Sequence, residues 1–165
     1  MTRFKLNTVK KIVFFRHGHS PTAFEAGVNT DAERPLSNRG SEEVKISAQK
    51  LAEYKIDFNI ILSSTYERAK QTSRILSEIL KVEIIPKEEL CGHLAPAQIW
   101  QFILQNFENY DNIIIAGHQP YLGIISGRFL FGAGIHIDAA SFIAMEFKDY
   151  LPTDIEQGFA KEITP

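Results

Sequence analysis

Four short apolar runs stand at intervals along the chain: Ile12 to Phe15, Asn59 to Leu62, Val82 to Ile85 and Asn112 to Ala116. Each has the length of a strand, and near-continuous apolar runs suit strands buried on both faces. Between them the apolar spacing changes to that of helices. Val44, Ala48, Leu51 and Ala52 share one helical face, with Ser37 or Ser41 placed to cap it. Ala69, Ile75, Leu76, Ile79 and Leu80 form a second stripe. Pro96 opens a third helix that turns Ile99, Phe102, Ile103 and Phe107 inward, and Pro120 opens a fourth through Leu122, Ile125 and Phe129. Strands alternating with helices predict crossover units on a largely parallel sheet, hence an α/β fold. Beyond the fourth helix, Ser141 to Phe147 and roughly Gly158 to Ile163 read as two β segments. The Pro-containing loop between them leaves no room for a crossover helix, so they are expected antiparallel, at or near the edge of a mixed sheet.

One segment has neither period. From Gly18 to about Pro35 the chain reads as irregular, a length that predicts a functional loop over a site, and it carries Asp31, Glu33 and Arg34. No repeat, low-complexity tract or linker interrupts the rest, and 165 residues with 44% apolar content suit one domain spanning residues 1–165. A net charge of −2 argues against general affinity for nucleic acid or an anionic membrane, so any anion site must be local. The single cysteine, Cys91, has no internal disulfide partner, and no apolar stretch is long enough to span a bilayer. The basic start at Met1 to Thr8 lacks the apolar core of a signal peptide, so a cytoplasmic location is expected.

The candidate chemistry lies where these strands end. Arg16-His17-Gly18 follows the first run, Gly117-His118 follows the last, and Ile60 to Leu62 leads into Ser63-Ser64-Thr65-Tyr66-Glu67-Arg68. In open α/β sheets ligands bind at the carboxyl ends of the strands, so parallel neighbours would bring two histidines and two arginines to one edge. A neutral imidazole can attack phosphorus, which makes His17 a candidate nucleophile. Arg16 and Arg68 offer planar forks that match phosphoryl oxygens, and a protonated His118 would add a third positive group. Gly18 and Gly117 would let backbone N–H groups approach the anion, and helices starting after Ser64 and Pro120 would turn positive ends to the same edge.

These elements, in this order, resemble the histidine phosphatase superfamily, whose fold is phosphoglycerate mutase-like. Arg34-Pro35-Leu36-Ser37 with Gly40 resembles a further family element, and the short chain with Gly117-His118-Gln119-Pro120 is most similar to the compact SixA-type phosphohistidine phosphatases. The resemblance implies a three-layer α/β/α sandwich with a mostly parallel mixed sheet. It also implies His17 as the transiently phosphorylated nucleophile, with Arg16, Arg68 and His118 as the phosphate pocket, Arg34 at its rim, and no metal or cofactor. Glu89 holds about the position from which relatives protonate the leaving group, and Glu88 is its register-shifted rival. Asp31 and Glu33 are further alternates in what otherwise reads as solvated surface.

Two departures shape the expected substrate. The mutases of the superfamily carry an Asn shortly after Arg-His-Gly, where this chain has His19-Ser20-Pro21-Thr22-Ala23-Phe24, and no large insertion separates Leu80 from Pro96 to cap the site. The expected activity is therefore metal-independent dephosphorylation of phosphohistidine on a signalling protein, such as a histidine phosphotransfer protein. A phosphatase of a small phosphomonoester is the alternative, and a catalytically silent phosphate-binding module the one from another class. A metal site from His19, Cys91 and His93 lacks the repeated Cys and His spacing of zinc signatures. Trp100, Phe102 and Phe107 read as core, because no basic residues interleave with them as on a base-stacking platform.

Overall fold

The apolar run at Ile12 becomes one of the two central strands of a six-stranded sheet in a computed structural model that describes residues 3–156 and 158–165. Met1, Thr2 and Gln157 lie outside the described residues. In chain order the strands are β1 (Arg3–Lys5), β2 (Lys10–Arg16), β3 (Ile60–Ser64), β4 (Ile84–Lys87), β5 (Asn112–Gly117), β6 (Phe142–Phe147), β7 (Tyr150–Pro152) and β8 (Lys161–Glu162). The helices are α1 (Ala23–Ala26), α2 (Asn38–Ala52), α3 (Glu67–Leu80), α4 (Pro96–Asn106) and α5 (Tyr121–Phe131). The main sheet runs β4-β3-β5-β2-β6-β8, with β2 to β5 mutually parallel, β6 antiparallel to β2, and β8 antiparallel to β6.

Alternation along the strands divides the core into two layers. Ile12, Phe14, Leu62, Ile113 and Ile115 pack under α4 and α5 against Trp100, Leu122, Ile125 and Phe129. Val13, Phe15, Ile61, Ile114 and Ala116 pack under α2 and α3 against Val44, Ala48, Leu51 and Leu76. The sandwich is therefore three-layered. The register pairs Arg16 on β2 with Gly117 on β5 and Ser63 on β3 with Ala116, so three carboxyl ends finish side by side.

Three local expectations change. The strand expected at Val82 to Ile85 starts two residues later, because Lys81 caps α3 in the left-handed region at φ 60 and Val82 is still covering the core. The segment at Gly158 to Ile163 shortens to β8 at Lys161 and Glu162, antiparallel to β6 as expected, with Ile163 N–H also donating to Ala144 O at 2.9 Å. The loop before it contains β7, which pairs with β1 as a separate two-stranded sheet that strand periodicity over three residues cannot signal.

Candidate active site

Short contacts hold β2's exit against two helices. An added Cβ on Gly18 would stand 2.6 Å from Gly40 O and 2.8 Å from a methyl of Val44, so this glycine admits α2 rather than a phosphoryl group. Its N–H donates to Thr72 Oγ1 of α3 at 3.3 Å, and Thr72 in turn donates to Arg68 O at 2.8 Å. Gln71 Oε1 accepts the Leu36 N–H at 2.7 Å, and Ser37 caps α2 by accepting from Gly40 N–H at 3.0 Å. Arg68-Ala69-Lys70-Gln71-Thr72 thus joins the exit of β2, the following loop and the pocket. Gly117 also differs from expectation, since a side chain there would overlap the Tyr121 hydroxyl, which donates to Leu90 O at 2.9 Å.

His17 and His118 lie with ring centroids 5.0 Å apart. His17 Nδ1 is 2.8 Å from Gly18 O, and a carbonyl only accepts, so Nδ1 carries the proton and the neutral ring presents the Nε2 lone pair. Arg68 Nε–H donates to that Nε2 at 3.2 Å. Burial, with Arg68, Arg16 and Arg34 nearby, pushes the His17 pKa down to about 4 against the opposing pull of Gly18 O. The pocket therefore keeps the His17 ring neutral, with no proton on Nε2.

His118 is buried, with Nε2 2.8 Å from Ser64 Oγ and Nδ1 without a partner among the described residues. Burial, His17 and Arg68 hold its pKa down to about 3, so it is neutral and adds no third charge. Arg16 donates from Nη1 to Ile137 O at 2.7 Å, approaches His136 Nε2 at 3.4 Å, and leaves its buried Nε unpaired among the described residues. An unpaired buried donor is costly, and an oxyanion beside Arg16 would satisfy its Nε–H; His118 Nδ1 would donate to the same oxyanion in the tautomer whose Nε2 accepts from Ser64 Oγ. Tyr66 completes the wall, its ring 5.2 Å from that of His118 and 5.1 Å beneath the Arg68 guanidinium.

The loop read as irregular carries local order. Thr22 and Glu25 form a capping box for α1, and a 3₁₀ turn spans Asp31–Glu33. Arg34 spends its nitrogens within this loop: Nε donates to Pro21 O at 2.6 Å, Nη2 to Ser20 O at 3.2 Å, and Nη1 to Asp31 at 2.5 Å. Asp31 is not merely solvated, because it also accepts from Arg68. Burial tends to raise its pKa, but hydrogen bonds from Arg34 and Arg68 outweigh this and hold the carboxylate below its ordinary range, which makes Asp31 a poor proton donor.

Of the other acid candidates, Glu33 caps its own turn by accepting from the backbone N–H groups of Asn29 and Thr30. Glu88 accepts from Cys91 Sγ at 3.6 Å, and Cys91 lies 3.1 Å from Thr65 Oγ1 and 3.4 Å from Ser64 Oγ. Glu89 is partly buried on the same 3₁₀ turn, Glu88–Leu90, and no hydrogen bond holds its carboxylate among the described residues. His19 bonds Ser37 Oγ at 2.8 Å, and no group of three or more His, Cys, Asp or Glu among the described residues is arranged to hold a metal ion. Trp100 and Phe107 are core, as their spacing predicts. No helix among the described residues is long and apolar enough to cross a membrane.

Comparison with known proteins places this geometry among relatives. The profile of the histidine phosphatase superfamily (branch 1) matches residues 12–92. An uncharacterised protein of Picosynechococcus sp. is 32% identical over 134 residues, covering 78% of each chain. Phosphohistidine phosphatase SixA of Escherichia coli is 26% identical over 119 residues, covering 70% of this chain and 71% of that one. The structure of the protein histidine phosphatase SixA complexed with tungstate superposes with a TM-score of 0.74 at 18% identity, covering 92% of this chain and 93% of that one, and supports the fold.

Proposed function

The chain belongs to the histidine phosphatase superfamily and is a phosphatase, and from that premise we propose that it removes the phosphoryl group from phosphohistidine on a signalling protein of the histidine phosphotransfer class. The observation that carries the chemistry is the fixed tautomer of His17, with its Nε2 lone pair held 3.2 Å from Arg68 Nε in a pocket that also holds Arg16 and His118.

In the first step Nε2 of His17 attacks phosphorus, a P–N bond forms, and the substrate's P–N bond breaks. A phosphohistidine that arrives protonated on its other ring nitrogen leaves as neutral imidazole, so no enzyme acid has to supply a proton. Arg68 and Arg16 stabilise charge on the transferring oxygens, and the Nδ1–H bond to Gly18 O stabilises the cationic ring that forms. In the second step water attacks phosphorus, the P–Nε2 bond breaks, and inorganic phosphate leaves with His17 neutral again.

A leaving group that needs no enzyme acid favours phosphohistidine over alkyl esters, for which Asp31, bonded to Arg34 and Arg68 and held ionised, is a poor proton donor. Rapid quench and intact mass measurement test the intermediate. We expect an acid-labile, alkali-stable phosphoryl adduct that His17→Ala lacks, and an adduct persisting in that variant would remove His17 from the mechanism.

A further inference from the structure

Asp31 takes both terminal nitrogens of Arg68: Nη1 donates to the Asp31 backbone O at 2.7 Å and Nη2 to its Oδ2 at 2.8 Å. The other carboxylate oxygen, Oδ1, accepts from Arg34 at 2.5 Å. A guanidinium has an end edge, between its two terminal nitrogens, and a side edge shared by Nε and Nη2. Asp31 fills the end edge. The side edge remains for the pocket, and its Nε–H points at His17 Nε2. The Arg68 side chain is 8% exposed while that of Asp31 is 56% exposed, so a rim residue orients a buried one.

The turn that presents Asp31 is itself fixed. Glu33 accepts from the N–H groups of Asn29 and Thr30 and from the Thr30 hydroxyl, and Arg34 ties the turn to Pro21 O and Ser20 O. A flexible arginine has many rotamers, and a donor held in place before the reaction stabilises developing charge without reorganising. We propose that Asp31 is a positioning residue for the phosphoryl transfer, which clamps the far edge of Arg68 so that Nε and Nη2 face the transition-state oxygens. This rests on the phosphatase chemistry assigned to His17, although not on the identity of the leaving group.

The positioning role and a gate make opposite predictions. A carboxylate that only competed with substrate for Arg68 would slow the enzyme, and its removal would raise both kcat and anion affinity. A clamp acts through Arg68 and is felt most in the transition state. The test is a double-mutant cycle of Asp31→Asn and Arg68→Lys, assayed on a phosphorylated histidine phosphotransfer protein and on p-nitrophenyl phosphate. Binding of orthovanadate, which forms a five-coordinate adduct on a nucleophile, and of inorganic phosphate is measured alongside by calorimetry.

Asp31→Asn is expected to lower kcat by about tenfold or more and orthovanadate affinity in parallel, with phosphate affinity changed by less than about threefold. In the Arg68→Lys background, which has no guanidinium edge to orient, the same change should cost less than about threefold. Equal losses in both backgrounds, an unchanged kcat, or a rise in kcat would overturn the proposal. Arg34→Lys, which loosens the carboxylate from its other side, supplies a second variant should Asp31→Asn unfold. It should lower kcat less, and the same three outcomes decide. A wild-type enzyme active on the ester but not on phosphohistidine would sink the substrate assignment, and the cycle on the ester would still decide the role of Asp31. Inactivity on both would leave the decision to the orthovanadate affinities.

Discussion

Lowering the pH from about 7.5 to about 5.5 would protonate an ordinary imidazole, whereas His17 is built to resist it. Its pKa falls from 6.5 to about 4, chiefly through burial and then through Arg68 and Arg16, against the Gly18 carbonyl. At about 1.4 kcal/mol per pH unit, that shift corresponds to about 3 kcal/mol in favour of the neutral ring. An ordinary histidine would be neutral in only about one molecule in ten at pH 5.5, whereas this one would be neutral in nearly all. kcat/KM reports the free enzyme, so the assay is its pH profile on p-nitrophenyl phosphate from about pH 4 to 8, corrected for ionisation of the ester. The expected curve is flat to about pH 5 and falls near 4. An acid limb centred between about 6 and 7 would refute the claim that burial and the neighbouring arginines hold His17 neutral. The folded state binds fewer protons than the unfolded chain below pH 6.5, so the same shift costs stability as the pH falls from 6.5 towards 4.

Two substitutions test other parts of the site. Gly117→Ala should lower stability by about 2 kcal/mol or more, read as a drop in melting temperature, because the new methyl overlaps the Tyr121 hydroxyl. Combined with Tyr121→Phe, which removes that oxygen, its cost should shrink, and strict additivity would show that the clash is elsewhere. Glu89→Gln should slow hydrolysis of an alkyl phosphomonoester by about tenfold or more while leaving phosphohistidine turnover nearly unchanged, since only the alkoxide needs a proton. Equal losses on the two substrates would make Glu89 a general part of the site.

The strand exits were legible because buried parallel strands announce themselves as apolar runs, and Arg16, His17, Arg68 and His118 each sit one to six residues beyond such a run. Their convergence follows from the strand order. What remained hidden depends on contacts made across the chain. Asp31 reads as a surface carboxylate in a polar stretch, and only the folded loop brings it against Arg68, 37 positions away. Gly18 and Gly117 read as openings for an anion, but what they make room for is the Gly40 carbonyl and Val44 of α2 and the Tyr121 hydroxyl. His136, close to Arg16, lies in a loop with no periodic signal. The charge state of His118 could not be read from residue type, because burial and its neighbours set it.

Turnover in the presence of EDTA tests phosphohistidine as substrate and His17 as nucleophile together. A phosphorylated histidine phosphotransfer protein is compared with a panel of small phosphomonoesters, with His17→Ala as the control. We expect a higher kcat/KM on the phosphoprotein than on any ester in the panel and no turnover by the variant. A small ester preferred over the phosphoprotein, or a His17→Ala enzyme that retains the wild-type rate, would contradict that expectation.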